Sequence, residues 1–343
     1  MKLEEFARES RATHKGDKSG VPIVGLEHLI PQEIKFSGYD VDTENTFTKT
    51  FKKGQILFGR RRAYLKKAAI ADFDGICSGD ITVIEAIPGK VDPLLLPFII
   101  QNDKFFDYAV SRSAGGLSPR VKWEHLKDYE FDLPPIEEQR ILADKLWAAY
   151  RLKESYKKLL TATQEMVKSQ FIEMFKGDNQ VPLGDICNIE KGATITRNDV
   201  LPGEVPVVAG GQEPSCYHNV ANREAGAITV SASGAYAGYI NFWNCPIFAS
   251  DCNTIISKDD EKTDQTFVYF GLRAMQKQIY GLQKGGAQPH VYGKDLQKFM
   301  FPCPSYAKQI EFSKMAKQAD KSEFELRKSI EAIDQVIKSL INN

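Results

Sequence analysis

Residues 49–67 carry eight basic side chains and no acidic one, and Phe58 and Tyr64 are interleaved with them. Lysine and arginine meet phosphates anywhere along a nucleic acid, and arginine can also fork onto guanine. This composition favours nucleic-acid binding. The alternative is a solvated basic strand edge that protects against aggregation. The predicted contact residues of this segment are Arg60, Arg61, Arg62, Tyr64, Lys66 and Lys67.

Residues 227–257 contain one acid, Asp251, and no base. Serine, asparagine and tyrosine side chains take the place of the charges. Such side chains could contact bases through neutral hydrogen bonds, or they could be ordinary turn residues. The predicted contacts here are Ser231, Ser233 and Tyr236.

Two Gly-Gly pairs, 115–116 and 285–286, each lie among polar side chains. Paired glycines let a backbone approach a phosphate closely, and a tight turn before a strand is the alternative explanation. The polar side chains predicted to contact nucleic acid are Arg112, Ser118, Arg120 and Lys122 around the first pair, and Lys284, Gln288 and His290 around the second.

Sequence signatures of catalysis are missing from the chain. It has no G-x-G-x-x-G, no Walker loop and no H-E-x-x-H, and it has no Pro-Asp dipeptide to open a common nuclease motif. The six cysteines form no C-x-x-C pair, which predicts reduced structural thiols and no metal site. We therefore expect a binding protein with no catalytic residue and no cofactor of its own.

The composition is that of a globular protein of about two domains, since the chain has 343 residues. Its 45 basic and 45 acidic residues cancel, which argues against a protein that coats nucleic acid alone but not against local basic surfaces. The longest apolar stretch, 94–100, is too short to cross a membrane, and the N-terminus does not resemble a signal peptide. We expect a cytoplasmic protein.

The polar segments lie in an internal repeat. A shift of 170 superposes residues 115–139 on 285–309 with eight of 25 positions identical, among them both glycines, Pro119 on Pro289 and Gln139 on Gln309. A shift of 172 matches a second block, in which the identical residues are Gly54, Ile56, Ala63, Tyr64, Ser78, Thr82 and Ile84 on Gly226, Ile228, Ala235, Tyr236, Ser250, Thr254 and Ile256.

Each half ends in a long run, 136–175 or 306–343, that lacks proline and glycine and has heptad apolar spacing. This pattern predicts coiled-coil helices that pair with each other, and packing of each helix on its own domain is the alternative. Lys153 and Glu323 interrupt the two patterns at equivalent positions, and we expect them on the helix seam or beside it. The predicted pairing residues are Leu142, Leu146, Tyr156, Leu160, Val167, Phe312, Leu326, Ile330 and Ile337.

The predicted fold class is mixed α/β, with two similar globular domains, two long antiparallel coiled-coil helices and a pseudo-twofold relation. The predicted divisions are domain 1–133, helix 134–176, domain 177–303 and helix 304–343. Strands are expected at 55–58, 81–84, 227–231 and 253–256, and helices at 94–108 and 266–280. Two similar globular domains (called heads below) at the ends of a rigid helix pair would suit a ligand with two spaced sites, such as DNA.

The run FDLPPIEEQR at 131–140, which leads into a long helix, resembles the conserved region of type I restriction-modification specificity subunits. So do KGGAQPHV at 284–291 and FPCP at 301–304 with Gln309. The duplicated layout is similar over essentially the whole chain. The first half departs from the family at GQILFGRRRAY (54–64), because the Ser-Gly-rich turn usual there is better kept at 231–238.

The resemblance implies that each head is a target recognition domain reading one half of a split site in double-stranded DNA. It implies that the helix pair sets the spacing and docks two methyltransferase subunits, which motor-endonuclease subunits can join. This subunit would perform no catalysis; S-adenosylmethionine and ATP with Mg²⁺ would belong to the partners, and the methyl group would go to adenine N6. The expected location is the cytoplasm of a bacterium or archaeon.

Two other classes remain open from the sequence. One is a coiled-coil assembly or scaffold protein whose heads bind proteins; the basic run at 49–67 speaks against it and the neutral total charge mildly for it. The other is an enzyme such as a nuclease with an unfamiliar site, against which the lack of metal-ligand clusters argues.

Overall fold

The computed structural model describes residues 1–342; Asn343, the last residue of the predicted helix 304–343, lies outside the described residues. The chain divides into two compact units. Unit 1 comprises Met1–Ser155 and the chain from Ser329 onward, and unit 2 is Tyr156–Lys328. This division passes through both long helices, so each unit contains a segment of each. The four divisions expected from the sequence follow helix ends instead and stay a prediction.

Unit 1 begins with a short helix and is built on two small sheets. The four-stranded antiparallel sheet has the order β1-β7-β4-β5, and the three-stranded sheet has the order β2-β6-β3. The strands are β1 (Ala7–Glu9), β2 (Ile23–Val24), β3 (Lys49–Phe51), β4 (Ile56–Gly59), β5 (Ala68–Ile70), β6 (Gly75–Cys77) and β7 (Ile81–Ala86). The helices are α1 (Leu3–Phe6), α2 (Leu96–Ile100), α3 (Asp103–Ser111) and α4 (Trp123–Leu126), and the long α5 (Ile136–Met174) begins in this unit and ends in unit 2.

Unit 2 repeats this plan. Its four-stranded antiparallel sheet has the order β13-β12-β15-β9, its three-stranded sheet the order β11-β10-β14, and β16 pairs with β8. The strands are β8 (Gln180–Pro182), β9 (Cys187–Lys191), β10 (Val205–Val208), β11 (Cys216–His218), β12 (Ala227–Ser231), β13 (Ile240–Trp243), β14 (Phe248–Ala249), β15 (Cys252–Ser257) and β16 (Met300–Pro302). The helices are α6 (Leu183–Ile186), α7 (Gln265–Ala274), α8 (Gln276–Tyr280) and α9 (Gly293–Gln297), and the long α10 (Tyr306–Asn342) begins in this unit and ends in unit 1.

Strand order and direction confirm the internal repeat. Sheet β1-β7-β4-β5 corresponds to β9-β15-β12-β13, and the parallel pair β2–β6 corresponds to the parallel pair β10–β14. The mixed α/β class expected from the sequence is therefore confirmed. One edge differs, because β3 pairs with β6 whereas β11 pairs with β10.

The register corrects one detail of the sequence alignment. Ile56 of β4 lies opposite Ile84, and its equivalent Ile228 lies opposite Ile255. The shift is thus 172 for β4 on β12 but 171 for β7 on β15, and the predicted match of Ile84 with Ile256 is wrong by one residue. A slip of one residue turns a strand side chain to the other face. Accordingly Ile84 and Ile255 are fully buried, whereas Ile256 is 37% exposed.

The predicted strands are present to within two residues, but each predicted medium-length helix is broken in two. Asn102 separates α2 from α3, and its side chain accepts a hydrogen bond from the Lys104 amide as an N-cap. Met275 separates α7 from α8 and serves as the boundary residue of both. Both heads therefore have a helix–break–helix segment before the Gly-Gly pair.

Both long helices are present, and within each unit their segments run antiparallel. In unit 1, Lys153 is 8% exposed and its ammonium group lies 2.6 Å from an Asp334 carboxylate oxygen. In unit 2, Glu323 is 7% exposed and accepts a hydrogen bond from Gln164 at 2.9 Å. A shift of 170 relates Lys153 to Glu323 and Gln164 to Asp334, so the same two helix positions form a polar pair in both units, with one buried and one half-buried member.

The nine residues predicted to pair the helices are all buried or half-buried. Leu146, Val167 and Phe312 are buried, and the other six are half-buried. The heptad pattern misses several further buried positions on α5, including Ala143, Tyr150 and Phe171. Phe171 packs against Phe312 with ring centroids 5.3 Å apart, so the two helix segments share the aromatic core of unit 2.

The repeated glutamine fixes the start of each long helix. Gln139 is 2% exposed, accepts from the Asp92 amide at 2.8 Å and donates to the Pro134 carbonyl at 2.9 Å. Gln309 is 1% exposed and makes the same two kinds of bond, to Asp264 and Pro304, at 2.9 and 3.0 Å. This motif residue is therefore structural. None of the helices within residues 1–342 is apolar over a membrane-spanning length.

Candidate nucleic-acid interface

In unit 1 the basic turn after β4 is hydrogen-bonded to the first Gly-Gly loop. The Arg62 amide donates to the Pro119 carbonyl at 2.8 Å, and the Val121 amide donates to the Arg60 carbonyl at 3.0 Å. The loop is a hairpin closed by two bonds between Ala114 and Arg120, at 2.9 and 3.0 Å. We call the turn 60–67 together with the hairpin 114–120 the first junction.

Unit 2 contains the same arrangement. The Gly234 amide donates to the Pro289 carbonyl at 3.0 Å, and the Val291 amide donates to the Ala232 carbonyl at 2.9 Å. The second Gly-Gly hairpin is closed by two bonds between Lys284 and His290, at 2.8 and 2.9 Å. We call 232–239 together with 284–290 the second junction. Segments chosen separately from the sequence thus meet pairwise in each unit.

The backbone of the turn is also the same, although the sequences differ. Arg62 and Lys66 adopt positive φ angles of 55° and 52°, and the equivalent residues are Gly234 at 84° and Gly238 at 90°. A left-handed conformation costs a residue with a side chain roughly 1–2 kcal/mol. The first turn therefore has the conformation of the two glycines of the second turn without having glycine there, and the strain lies at Arg62 and Lys66.

The Asp80 carboxylate forms ion pairs with two arginines of the first junction. Its carboxylate lies 2.6 and 3.1 Å from two nitrogens of Arg120 and 3.5 Å from the nearest nitrogen of Arg61. The hydrogen bond from Arg120, helped by the charges of Arg120 and Arg61, holds the pKa of Asp80 below its usual value. Arg61 also donates to the Ser118 hydroxyl at 3.1 Å. Arg62 is exposed and reaches the Leu117 carbonyl at 3.4 Å.

The second junction has a carboxylate in the corresponding place but few charges around it. Asp251, which the shift of 171 relates to Asp80, accepts a hydrogen bond from the Ser233 hydroxyl. Nδ1 of His290 lies 2.8 Å from the Gln288 carbonyl, and the ring stacks on Tyr292 with centroids 5.9 Å apart. Lys284 pairs with Asp295 at 2.7 Å, and that bond lowers the pKa of Asp295.

Three of the predicted contact side chains are directed into the fold instead. Lys66 pairs with Asp103 at 2.6 Å, and Lys67 donates to the Leu26 carbonyl at 2.8 Å. Ser231 is 4% exposed and donates to the Gly211 carbonyl at 3.3 Å. Their position favours a supporting role. The predicted contacts that are exposed are Arg62, Tyr64, Arg112, Arg120, Lys122, Tyr236, Lys284 and Gln288, and Arg60, Arg61, Ser118, Ser233 and His290 are half-buried.

Sequence reasoning missed the roles of Asp80 and Leu117. Asp80 belongs to no basic or glycine motif, and its link to Arg120 exists only after folding. Leu117 occupies the tip of the first hairpin and is 96% exposed. The repeat could have pointed to Asp80, because an acid closely follows the matched serine in both halves: Asp80 lies two residues after Ser78, and Asp251 lies one residue after Ser250.

Within residues 1–342, one group of side chains brings three possible metal ligands together: Glu27, His28 and Asp40. The Gly25 amide donates to Nδ1 of His28 at 2.9 Å, which places the ring proton on Nε2, facing Asp40 at 3.6 Å. A ring in that tautomer has no lone pair left for a metal. Burial raises the pKa of Cys77, Cys187 and Cys252 to about 12, which disfavours the thiolate needed for nucleophilic or metal chemistry.

Comparison with known proteins matches the chain to one family model twice. The model describes the type I restriction modification DNA specificity domain and matches residues 8–162 and 177–335. Each match contains one junction, with its turn and its Gly-Gly hairpin. This result favours a specificity subunit with two target recognition domains over the coiled-coil scaffold that the sequence left open.

Two curated relatives are specificity subunits. The type I restriction enzyme EcoDI specificity subunit of Escherichia coli is 27% identical over an alignment of 173 residues, and the match covers 47% of this chain and 38% of the relative's length. The protein described as the type I restriction enzyme MjaX specificity subunit of Methanocaldococcus jannaschii is 23% identical, over 99% of this chain and 90% of the relative.

Two solved structures share the fold. The type I restriction-modification S subunit of M. genitalium has a TM-score of 0.65 at 16% identity, covering 100% of this chain and 96% of that one. A chain from a study of type I restriction-modification complex assembly and conformational transition has a TM-score of 0.55 at 18% identity, covering 100% and 98%. With the family model covering most of the sequence, the chain belongs to the family of type I restriction modification DNA specificity domains and carries two copies of that domain.

Proposed function

We propose that this chain reads a bipartite site in double-stranded DNA, with one half-site read at each junction. The observation that carries the proposal is that one backbone arrangement occurs in both units with different exposed side chains. A shared scaffold explains how two heads dock on the same kind of ligand. Different side chains explain how they would select different bases.

The first junction is suited to charged contacts. Arg61 and Arg120 share one carboxylate, so the three side chains carry a net positive charge, and Arg62 adds an exposed guanidinium group. Guanidinium groups bind phosphates and fork onto guanine in the major groove. Tyr64, which is 51% exposed beside them, offers a ring and a hydroxyl. We assign this surface to the half-site contacted mainly through arginine.

The second junction is suited to neutral hydrogen bonds. Gln288 is exposed at the hairpin and can contact adenine through a bidentate amide pair. With Nδ1 directed to the Gln288 carbonyl, the neutral His290 ring has Nε2 as an acceptor. Lys284 supplies one cation, but Asp295 already pairs with it. This half-site would therefore depend less on salt than the first.

The partners proposed are two methyltransferase subunits that dock on the long helices, with motor-endonuclease subunits able to join them. The helix pair would set the gap between half-sites. S-adenosylmethionine and ATP with Mg²⁺ would be bound by the partners, the chain itself would catalyse nothing, and the modified atom would be adenine N6. This work takes place on cellular DNA, so the proposed location is the cytoplasm of a bacterium or archaeon.

The decisive experiment is a methylome. The chain is co-expressed with the methyltransferase subunit of its own genome in a methylation-free host, and N6-methyladenine is mapped by single-molecule sequencing. We expect a split motif with a fixed gap, which is absent when this chain is omitted. A soluble, well-formed complex that adds no methylation would contradict the proposal and return attention to a protein-binding role.

A further inference from the structure

The tip of the first Gly-Gly hairpin presents a bare apolar side chain. Leu117 is 96% exposed, whereas the next most exposed large apolar side chain among residues 1–342, Phe324, is 59% exposed. Single exposed apolar residues are common on proteins, but most retain part of their packing. Leu117 has almost none, so burial of its side chain contributes little to the stability of the unit.

The backbone beneath this side chain is held in place. Two hydrogen bonds between Ala114 and Arg120 close the hairpin, and Gly115 supplies a φ of 113°. Arg62 donates to the Leu117 carbonyl at 3.4 Å, and Arg61 donates to the hydroxyl of the next residue, Ser118, at 3.1 Å. The tip is thus braced by two arginines of the turn, and an ordered tip loses less entropy when it binds.

The surroundings of Leu117 specify what can cover it. Arg61, Arg62 and Arg120 lie at the base of the hairpin, so a polyanion is the ligand that this surface attracts. On duplex DNA, the apolar surfaces that a leucine can cover are the thymine methyl group and the faces of a base step opened by a wedge. The equivalent position in unit 2 is Ala287, whose side chain is a single methyl group and is too short to act as a wedge.

We infer that Leu117 is a specificity-determining residue of the first half-site, which it reads by apolar contact with a base. This inference rests on the proposed function, since it presumes that the first junction meets DNA. It adds to the arginine contacts a position whose preference comes from shape and apolar surface. Burial of one leucine side chain corresponds to a factor of roughly 10 to 100 in affinity.

The test uses the complex with its methyltransferase subunits and the site found by the methylome. Leu117→Ala should weaken binding to that site by about tenfold, with little change on unrelated duplex, and should relax one position of the first half-site in the methylome. Leu117→Met, which keeps an apolar side chain of similar size, should retain most of the affinity. Leu201→Ala, at a leucine that is 55% exposed and lies outside both junctions, serves as the matched control and should change nothing.

Two modified duplexes identify the apolar surface. If a thymine methyl is the contact, uracil at one position of the first half-site weakens binding of the wild type but not of Leu117→Ala. If the side chain is a wedge, 2-aminopurine in that half-site brightens with the wild type and stays quenched with the variant. Either result supports the inference.

The inference is overturned if Leu117→Ala and the wild type have the same affinity and the same methylated motif. That outcome leaves the proposed function intact, because the wild type still directs methylation. A wild-type complex that directs no methylation at all would instead remove the proposed function and this inference with it. Because Leu117 is exposed, the variant should fold with an unchanged Tm, which is measured alongside.

Discussion

The two junctions share a backbone and differ in almost every exposed side chain. In both, a turn amide donates to the proline carbonyl of the hairpin and a valine amide donates to a turn carbonyl. The first junction then pairs two arginines, Arg61 and Arg120, with Asp80, whereas the second pairs the hydroxyl of Ser233 with Asp251. Because main-chain bonds hold the scaffold, its side chains are free to vary without loss of the fold.

The largest expected effect is on the free energy of unfolding, and it concerns the buried glutamine that both units share. Gln139→Ala or Gln309→Ala should lower the free energy of unfolding by about 2–3 kcal/mol, because each leaves buried backbone groups without a partner. Gln309 should be the more costly loss, since it also donates to the Lys262 carbonyl at 3.0 Å. Urea unfolding measures both. Gln170→Ala, at an exposed position of α5, is the control, and an equally small effect at all three positions would show that the repeated glutamine is not a structural lock.

The next largest effect is on DNA binding, whose salt dependence should differ between variants of the two junctions. Arg61→Ala with Arg62→Ala should weaken DNA binding by the methyltransferase complex roughly 10-fold to 100-fold and reduce the salt slope by about 2, because two phosphate-binding cations are lost. The matched change in unit 2, Ser233→Ala, removes no charge and should leave the slope as it was. Affinity is titrated at several salt concentrations. Equal slopes for the wild type and the arginine variant would mean that the first junction faces away from DNA.

A smaller effect should expose the strain in the first turn. Gly234→Ala should lower the free energy of unfolding by about 1 kcal/mol, because the residue must keep φ near 84°. Arg62→Gly should leave that free energy unchanged or raise it by up to about 1 kcal/mol, while still weakening DNA binding. Thermal unfolding and DNA titration of the same preparations distinguish the two. Loss of stability in Arg62→Gly comparable to that in Gly234→Ala would show that the turns are not equivalent.

The smallest effect should come from the titration of Asp80. Arg120 holds its pKa below 3.8 in the folded protein. A carboxyl group with a lowered pKa stabilises the fold above its unfolded pKa, and this contribution is lost as the pH falls through the folded pKa. The Tm difference between the wild type and Asp80→Asn should therefore be constant from pH 7 to about pH 5 and shrink below about pH 4. In an Arg120→Gln background the difference should be smaller than in the wild-type background above about pH 4, and the two should converge at lower pH. A difference that does not vary with pH would exclude this ion pair as its source.

Periodicity and the repeat made much of the fold predictable. Strands with alternating or continuous apolar residues and two long heptad runs without proline or glycine are local signals, and all of them were found. The helix breaks were missed at Asn102, where a side chain caps a new helix, and at Met275. The one-residue slip between β7 and β15 was missed because the identities Thr82/Thr254 and Ile84/Ile256 outweighed burial, which only the folded sheet shows.

The site was only partly predictable for a related reason. Residue type marked the basic turn and both Gly-Gly loops, and the structure brings them together. Type does not reveal direction, however, and Lys66, Lys67 and Ser231 are each bonded to their own fold. Nor does type reveal that Asp80 would restrain two arginines, because those bonds join residues that are 19 and 40 positions apart in the chain.

The division of the chain into units has a consequence for its synthesis. Unit 2 is a continuous stretch, Tyr156–Lys328, whereas the core of unit 1 includes Ile341 packed with residues such as Leu146 and Tyr150. During synthesis on the ribosome, unit 1 therefore starts before unit 2 and is completed after it. A nonsense mutation anywhere before residue 329 would leave those early residues uncovered, and the product would be an aggregation-prone or protease-sensitive fragment instead of a reader with a single working half.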